Sequence, residues 1–200
     1  MTSVATLFSG GKDSALVAAL LDPFYEVTLC HCTFGVETDP SAVETAADAA
    51  DALGLPFVTV ELDRPVAREA VDRMVADGYP RNGIQRVHEH ALERVAAGEF
   101  GAVADGTRRD DRVPSVDRSF ARSLEDRQGV DYVRPLAGYG RGAVDDLVDR
   151  LLTVETGPSE RLATADYEAE LRALVAREHG PDAVADVFPD HVQSRVTGRR

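Results

Sequence analysis

Apolar positions along this chain fall into short continuous runs separated by stretches of helical spacing, and the two kinds alternate. Residues 4–8, Val-Ala-Thr-Leu-Phe, form an apolar run of strand length, and residues 14–21 follow with a helical apolar face. Residues 25–34 are rich in β-forming side chains and close at Gly35, which predicts a second strand. Ser41 offers an N-cap for an alanine-rich helix reaching Leu53, where Gly54 and Pro56 stop it. A third strand over 57–62 precedes two helices, 66–77 and 84–97, parted by Gly78-Tyr79-Pro80-Arg81-Asn82-Gly83. Short runs at 101–104 and 131–134 supply a fourth and a fifth strand. This alternation predicts an α/β fold, a doubly wound parallel sheet of five strands with helices on both faces. Near Gly157 the alternation stops. One more helix, 165–179, ends at Gly180-Pro181, and the chain closes with Arg195, Arg199 and Arg200. The expected organisation is a main domain over 1–155 and a small helical appendage with a basic tail over 156–200.

The connection between the first strand and the first helix is Ser9-Gly10-Gly11-Lys12-Asp13-Ser14. Lys12 is the only lysine of the 200 residues; the other 21 basic residues are arginine. Lysine is a compact point charge on a flexible stem and arginine a planar fork, so its retention here marks a local chemical demand. Two glycines at the entry to a helix let backbone N–H groups converge on an anion at the positive helix end. The loop therefore reads as a phosphate-binding site. It is neither the G-x-x-x-x-G-K-S/T loop nor the G-x-G-x-x-G fingerprint.

All fixed positions of these six residues match the SGGxDS loop of the ATP pyrophosphatases, and the chain resembles that PP-loop, or adenine nucleotide alpha hydrolase-like, family. The resemblance continues at Asp105-Gly106-Thr107 with Asp110-Asp111, then Pro114, then Val133-Arg134-Pro135-Leu136. This second stretch looks most like the branch holding the ATP-dependent sulfur transferase that builds a nickel-pincer nucleotide. The resemblance implies a Rossmann-like sheet with its ligand beyond the carboxyl ends of the strands. It also implies ATP and Mg²⁺, with a substrate oxygen attacking the α-phosphate, pyrophosphate leaving, and an amine or sulfur nucleophile then displacing AMP. On that reading Lys12 and Asp13 are catalytic. Ser9, Gly10, Gly11, Lys12, Asp13, Ser14, Thr33, Gly106 and Thr107 contact the nucleotide, and Asp13, Asp110 and Asp111 organise the metal. Asp110 and Asp111 would serve equally well as caps of a helix N-terminus. Arg81, Arg108, Arg109 and Arg112 are the candidate anion binders, and Arg118 and Arg122 extend the same basic run.

The chain departs from the sulfur-handling branches. Residues 79–90 contain no cysteine, which excludes a sacrificial sulfur donor in that place. Cys30 and Cys32 cannot supply a zinc thiolate cluster. They share one face of the second strand with His31 opposite, either as buried structural thiols or as a persulfide relay. His88 and His90, two apart on a helix, make a poor metal pair and read as surface residues.

The net charge of -13 is spread along the whole chain, and with arginine in place of lysine it suggests adaptation to a salty cytoplasm. The opening apolar run falls well short of a secretory or membrane-spanning segment, so a soluble cytoplasmic protein is expected. The acceptor is a small molecule or tRNA, with nitrogen or sulfur supplied by a partner protein. A tRNA-modifying enzyme of the thiolation type, or a non-catalytic ATP sensor, are the alternatives to a small-molecule ligase. A homodimer is plausible on base rates alone.

Overall fold

The computed structural model describes every residue except 160, 161 and 164. Its strands β1 (Thr2–Leu7), β2 (Tyr25–Thr33), β3 (Phe57–Glu61), β4 (Ala102–Ala104) and β5 (Asp131–Val133) form one parallel sheet in the order β3-β2-β1-β4-β5. Each of the five strands expected from the sequence is present. Helices α1 (Lys12–Leu21), α2 (Ala42–Leu53) and α6 (Arg141–Leu151) cover one face of the sheet, where Val4, Leu29 and Ala102 point. Helices α3 (Arg64–Asp77), α4 (Arg81–Ala96) and α5 (Arg118–Gln128) cover the other, against Ala5, Cys30, Cys32 and Val103. The two-residue period of the strands thus feeds two separate cores.

Local chemistry sets the helix ends. Ser41 accepts from the amide of Glu44 at the start of α2, and Asp117 accepts from Phe120 at the start of α5. Gly54 and Gly78 end α2 and α3 in the left-handed conformation that side chains avoid. Helix α1 is apolar nearly all round because it lies between the sheet, α6 and the C-terminal segment; Ala15, Leu16, Val17 and Ala18 are fully buried.

The C-terminal segment differs from expectation. It contains helices, α7 (Tyr167–His179) and α8 (Pro181–Val187), but also a two-stranded antiparallel sheet of β6 (Leu152–Pro158) and β7 (Val192–Arg199). β6 runs through the boundary placed at 155, and the expected basic tail is β7. Its arginines are partnered: Arg195 with Glu155 at 2.8 Å and Arg199 with Asp22 at 2.7 Å. Alternation along Val192-Gln193-Ser194-Arg195-Val196 buries only Val196 fully, so the strand carries a weak apolar signal.

Sheet order positions the site. β1 has β2 on one side and β4 on the other, so the connections leaving β1 and β4 diverge and open a crevice at their carboxyl ends. Helix α7 closes this end of the sheet. Its buried Glu170 accepts from Thr33 Oγ1 at 2.8 Å, Phe34 N at 2.8 Å and Val36 N at 2.9 Å. Among the described residues no helix is long and apolar enough to cross a membrane.

Candidate nucleotide site

The crevice between β1 and β4 opens into a cavity of about 560 Å³, bounded by the Ser9–Ser14 loop, residues 105–108 and 111–114, and the α3–α4 turn. That size suits a drug- or nucleotide-sized ligand. At its polar end Ser9 and Ser14 bring their hydroxyl oxygens within 3.4 Å of each other, and Ser14 donates to Gly11 O at 3.1 Å. Gly11 caps α1 without a side chain, so the Asp13 and Ser14 amides of its first turn are left for an anion at this end. Gly106 passes against that same turn. A Cβ there would lie 3.1 Å from Ser14 N, which explains the glycine at this position.

The loop is held from behind by the C-terminal strand and by Ala165. Val196 N donates to Gly10 O at 2.8 Å, Lys12 N donates to Ser194 Oγ at 3.2 Å, and Ala165 N donates to Ser9 O at 3.3 Å. Gly10 adopts φ +72 and packs on Ala49 of α2. Gly10 and Gly11 therefore shape the loop between α2 and β7 and do not line the cavity.

The charged side chains divide. Lys12 turns away from the cavity and pairs with Asp145 of α6, so the ligand role expected of its ammonium is not met in this geometry. A half-exposed ion pair contributes at most ~1 kcal/mol. Lys12→Ala should accordingly change ATP affinity by less than about threefold in an equilibrium titration. Asp13 does line the cavity. Burial raises its pKa above the usual carboxylate range, with Arg108 and Lys12 opposing that shift. Arg108 Nη1 lies 3.5 Å from Asp13 Oδ2, and the same guanidinium donates to Asp111 Oδ1 at 2.6 Å and 3.0 Å.

The expected metal trio is not assembled. Asp111 accepts from Arg108 at both oxygens, and Asp110 accepts from Arg141 N at 3.1 Å, the helix-capping alternative. Asp13 Oδ1 is the exception: it is buried and has no hydrogen-bond partner among the described residues. One carboxylate oxygen beside phosphate oxygens suits Mg²⁺, so Asp13 fits that ion, while Asp110 and Asp111 do not as they stand.

Among the anion-binding candidates, Arg81 and Arg112 line the cavity mouth with Arg108 deeper, and Arg81 lies over the Tyr79 ring at 5.9 Å. Arg109 is exposed on the turn between β4 and α5, and Arg118 and Arg122 are exposed on α5, none of them on the cavity wall. Thr33 is also absent from the wall, its hydroxyl donated to Glu170. Gly106 and Thr107 lie where the sequence places them.

Beneath the polar end sits a network centred on Asp105, which is fully buried. Its Oδ1 accepts from Thr107 N at 2.9 Å and Thr107 Oγ1 at 2.6 Å. Its Oδ2 is 2.9 Å from His88 Nε2 and accepts from Tyr132 Oη at 2.7 Å. Burial alone would raise the Asp105 pKa; the His88, Thr107 and Tyr132 hydrogen bonds outweigh it and hold the carboxyl at about 2. His88, read from the sequence as a surface residue, is instead 5% exposed and lines the cavity. His90 is likewise buried, and accepts from Asp63 N at 3.2 Å. The helical stripe Ile84, His88, Leu92 carried the signal for His88, since i and i+4 positions share a face.

Cys30 and Cys32 reach the apolar side of the cavity, on one face as expected. Burial pushes the Cys30 thiol up to about 12 and that of Cys32 higher still, so both are protonated thiols at neutral pH. This argues against a persulfide relay. The C-terminal segment contributes Asp166, Tyr167, Glu168 and His191 to the wall, none of which sequence reasoning identified.

Two likenesses to known proteins run the length of the chain. An uncharacterised protein of Methanocaldococcus jannaschii is 39% identical over 199 residues, covering 99% of this chain and 96% of that one. A crystal structure described as a predicted subunit of tRNA methyltransferase from the same organism superposes at TM-score 0.88 with 36% identity, covering 100% of this chain and 98% of that one. The U34-tRNA thiolase NcsA of Methanococcus maripaludis reaches TM-score 0.49 at 20% identity, over 74% of this chain and 55% of that one, a likeness too slight to bear on function. The chain belongs to the family of unknown function DUF7411, which matches residues 2–198.

Proposed function

We propose that this chain is a PP-loop enzyme that acts on tRNA, using ATP at the α-phosphate to activate an oxygen of the acceptor for replacement by nitrogen or sulfur. The observation that carries the reading is the single cavity joining the Ser9–Ser14 loop to Gly106-Thr107 at the carboxyl ends of β1 and β4. The description of the 36%-identical structure as a predicted tRNA methyltransferase subunit supports the choice of tRNA over a small-molecule acceptor.

The residues then take definite roles. The hydroxyls of Ser9 and Ser14 and the Asp13 and Ser14 amides of α1 bind the leaving pyrophosphate. Arg108 stands across from them as a fixed cation, its fork steadied by Asp111. Asp13 would hold Mg²⁺ through its unpartnered Oδ1, and the ion would neutralise charge developing on the pyrophosphate. Leu7, Phe8, Ile84 and the two thiols give the remainder of the cavity an apolar wall for the base. Catalysis here is mainly positioning and charge stabilisation, as in other phosphoryl chemistry.

Arg81 and Arg112 would meet the RNA backbone at the mouth, a local positive pair on a chain of net charge -13. Bulk tRNA binding should weaken steeply with salt, because phosphate contacts release counterions. Filter binding with Arg81→Ala plus Arg112→Ala should show tRNA affinity reduced about tenfold and a shallower salt slope. Wild-type protein that retains no tRNA at low salt would contradict the choice of acceptor.

A further inference from the structure

We infer that His88 is the group that accepts the proton of the incoming nucleophile when AMP is displaced, an inference that rests on the α-phosphate reading above. The argument begins with Asp105. It is fully buried and receives four hydrogen bonds, two at each oxygen, from Thr107 N, Thr107 Oγ1, His88 and Tyr132. An ionised carboxylate can only accept, so the His88 nitrogen facing it, Nε2, carries a proton. That choice fixes the tautomer. A neutral His88 then presents Nδ1 as a bare lone pair, and Nδ1 has no hydrogen-bond partner among the described residues.

Location gives the lone pair a use. A histidine that served only to tie α4 to β4 would have no reason to line the ligand cavity, and His88 does line it. The titratable groups around the ring are Asp105 from β4, Tyr132 from β5, Tyr167 from α7, and Cys30 and Cys32 from β2. The Tyr167 ring meets the imidazole edge-on at 6.2 Å, which restrains its tilt. The two cysteines are held as thiols and Asp105 is saturated, whereas His88 keeps an unused lone pair on this wall.

The step balances without an oxidant or reductant. A nitrogen or sulfur nucleophile bearing a proton attacks the acceptor carbon that carries the adenylate. The new C–N or C–S bond forms, the C–O bond to AMP breaks, and AMP leaves with the bonding pair. The proton passes to His88 Nδ1, and the imidazolium is stabilised by the Asp105 carboxylate behind it. This is the base-and-orienter arrangement general to activated nucleophiles.

The test uses the full chain and two readouts. Nitrogen-15 NMR of ring-labelled histidine, assigned with His88→Gln, should show the neutral ring protonated at Nε2. Its Nδ1 resonance should move when AMP is added to saturation. A proton on Nδ1, or no response to AMP, would overturn the inference independently of turnover. In steady state with tRNA and a nucleophile donor, His88→Gln should retain a first-turnover burst of pyrophosphate but lose 10²- to 10⁴-fold in transfer to the acceptor, roughly the range for general bases. Glutamine can still donate to Asp105, so its fold and melting temperature should stay close to wild type. Unaltered transfer in His88→Gln would overturn this inference alone. Release of ADP by the wild type would overturn the α-phosphate reading, and this inference with it.

Discussion

Asp105→Ala is expected to cost roughly 3–5 kcal/mol of folding stability, the range for breaking a buried, hydrogen-bonded charge network by removing one partner. The substitution orphans four donors at once: Thr107 N, Thr107 Oγ1, His88 Nε2 and Tyr132 Oη. Each loses its partner in a place where water does not replace it, since Asp105 is fully buried and His88 nearly so. Denaturant midpoints of wild type and variant measure the difference, and a loss below about 1 kcal/mol would mean the network is not formed. The same carboxylate predicts a pH dependence. Its folded pKa, about 2, lies below its unfolded value of 3.8, so its contribution is complete above the unfolded pKa. It is lost as pH falls from about 4 towards 2, and amounts to about 2 kcal/mol for a shift of that size. Asp105→Asn should flatten this acid limb.

Asp13→Asn is expected to reduce pyrophosphate release roughly 10²- to 10³-fold, comparable to deleting one preorganised charge-stabilising group at a reacting centre. Asp13 is on the cavity wall, in the first turn of α1, with one oxygen beside Arg108 and the other buried and unpartnered. Asparagine preserves the shape but removes the charge that would hold Mg²⁺. Burial already disfavours the ionised form, so the fold does not depend on that charge, and the variant should melt at or above the wild-type temperature. Loss of activity with retained stability is the diagnostic pattern. Near-normal pyrophosphate release would remove Asp13 from the reaction. The contrast with Lys12→Ala, for which little change is expected, separates the loop residue that faces the cavity from the one that faces α6.

What the sequence made legible was the backbone of the site. Five strands, the glycine-rich turn and the Gly106-Thr107 pair were readable because each is encoded within a few consecutive residues. Side-chain direction was less legible. Lys12 draws attention as the sole lysine, yet one step around the first turn of α1 decides whether a side chain faces the nucleotide or α6, and only Asp13 and Ser14 face the cavity. Asp111 looks like a metal ligand until Arg108, three residues earlier, folds back onto it. Asp110 took the other reading weighed for it, as a helix-end acceptor. The spacing of His88 from His90 suggests a surface residue, whereas its place on the Ile84–Leu92 stripe buries it. The contribution of Asp166, Tyr167 and His191 comes from segments far beyond Gly106 in the chain, through packing that no local pattern specifies. The strap formed by Ser194 and Val196 is hidden for the same reason, within a strand whose arginines read as a basic tail.

The central claim is α-phosphate chemistry on a tRNA acceptor. Its most direct test is turnover of α-labelled ATP with Mg²⁺ by the purified chain, with and without tRNA, resolving AMP plus pyrophosphate from ADP plus phosphate. The account predicts AMP and pyrophosphate in equal amounts, dependent on tRNA and lost in Asp13→Asn. ADP as the product, or AMP formation that a small-molecule extract supports and tRNA does not, would contradict it.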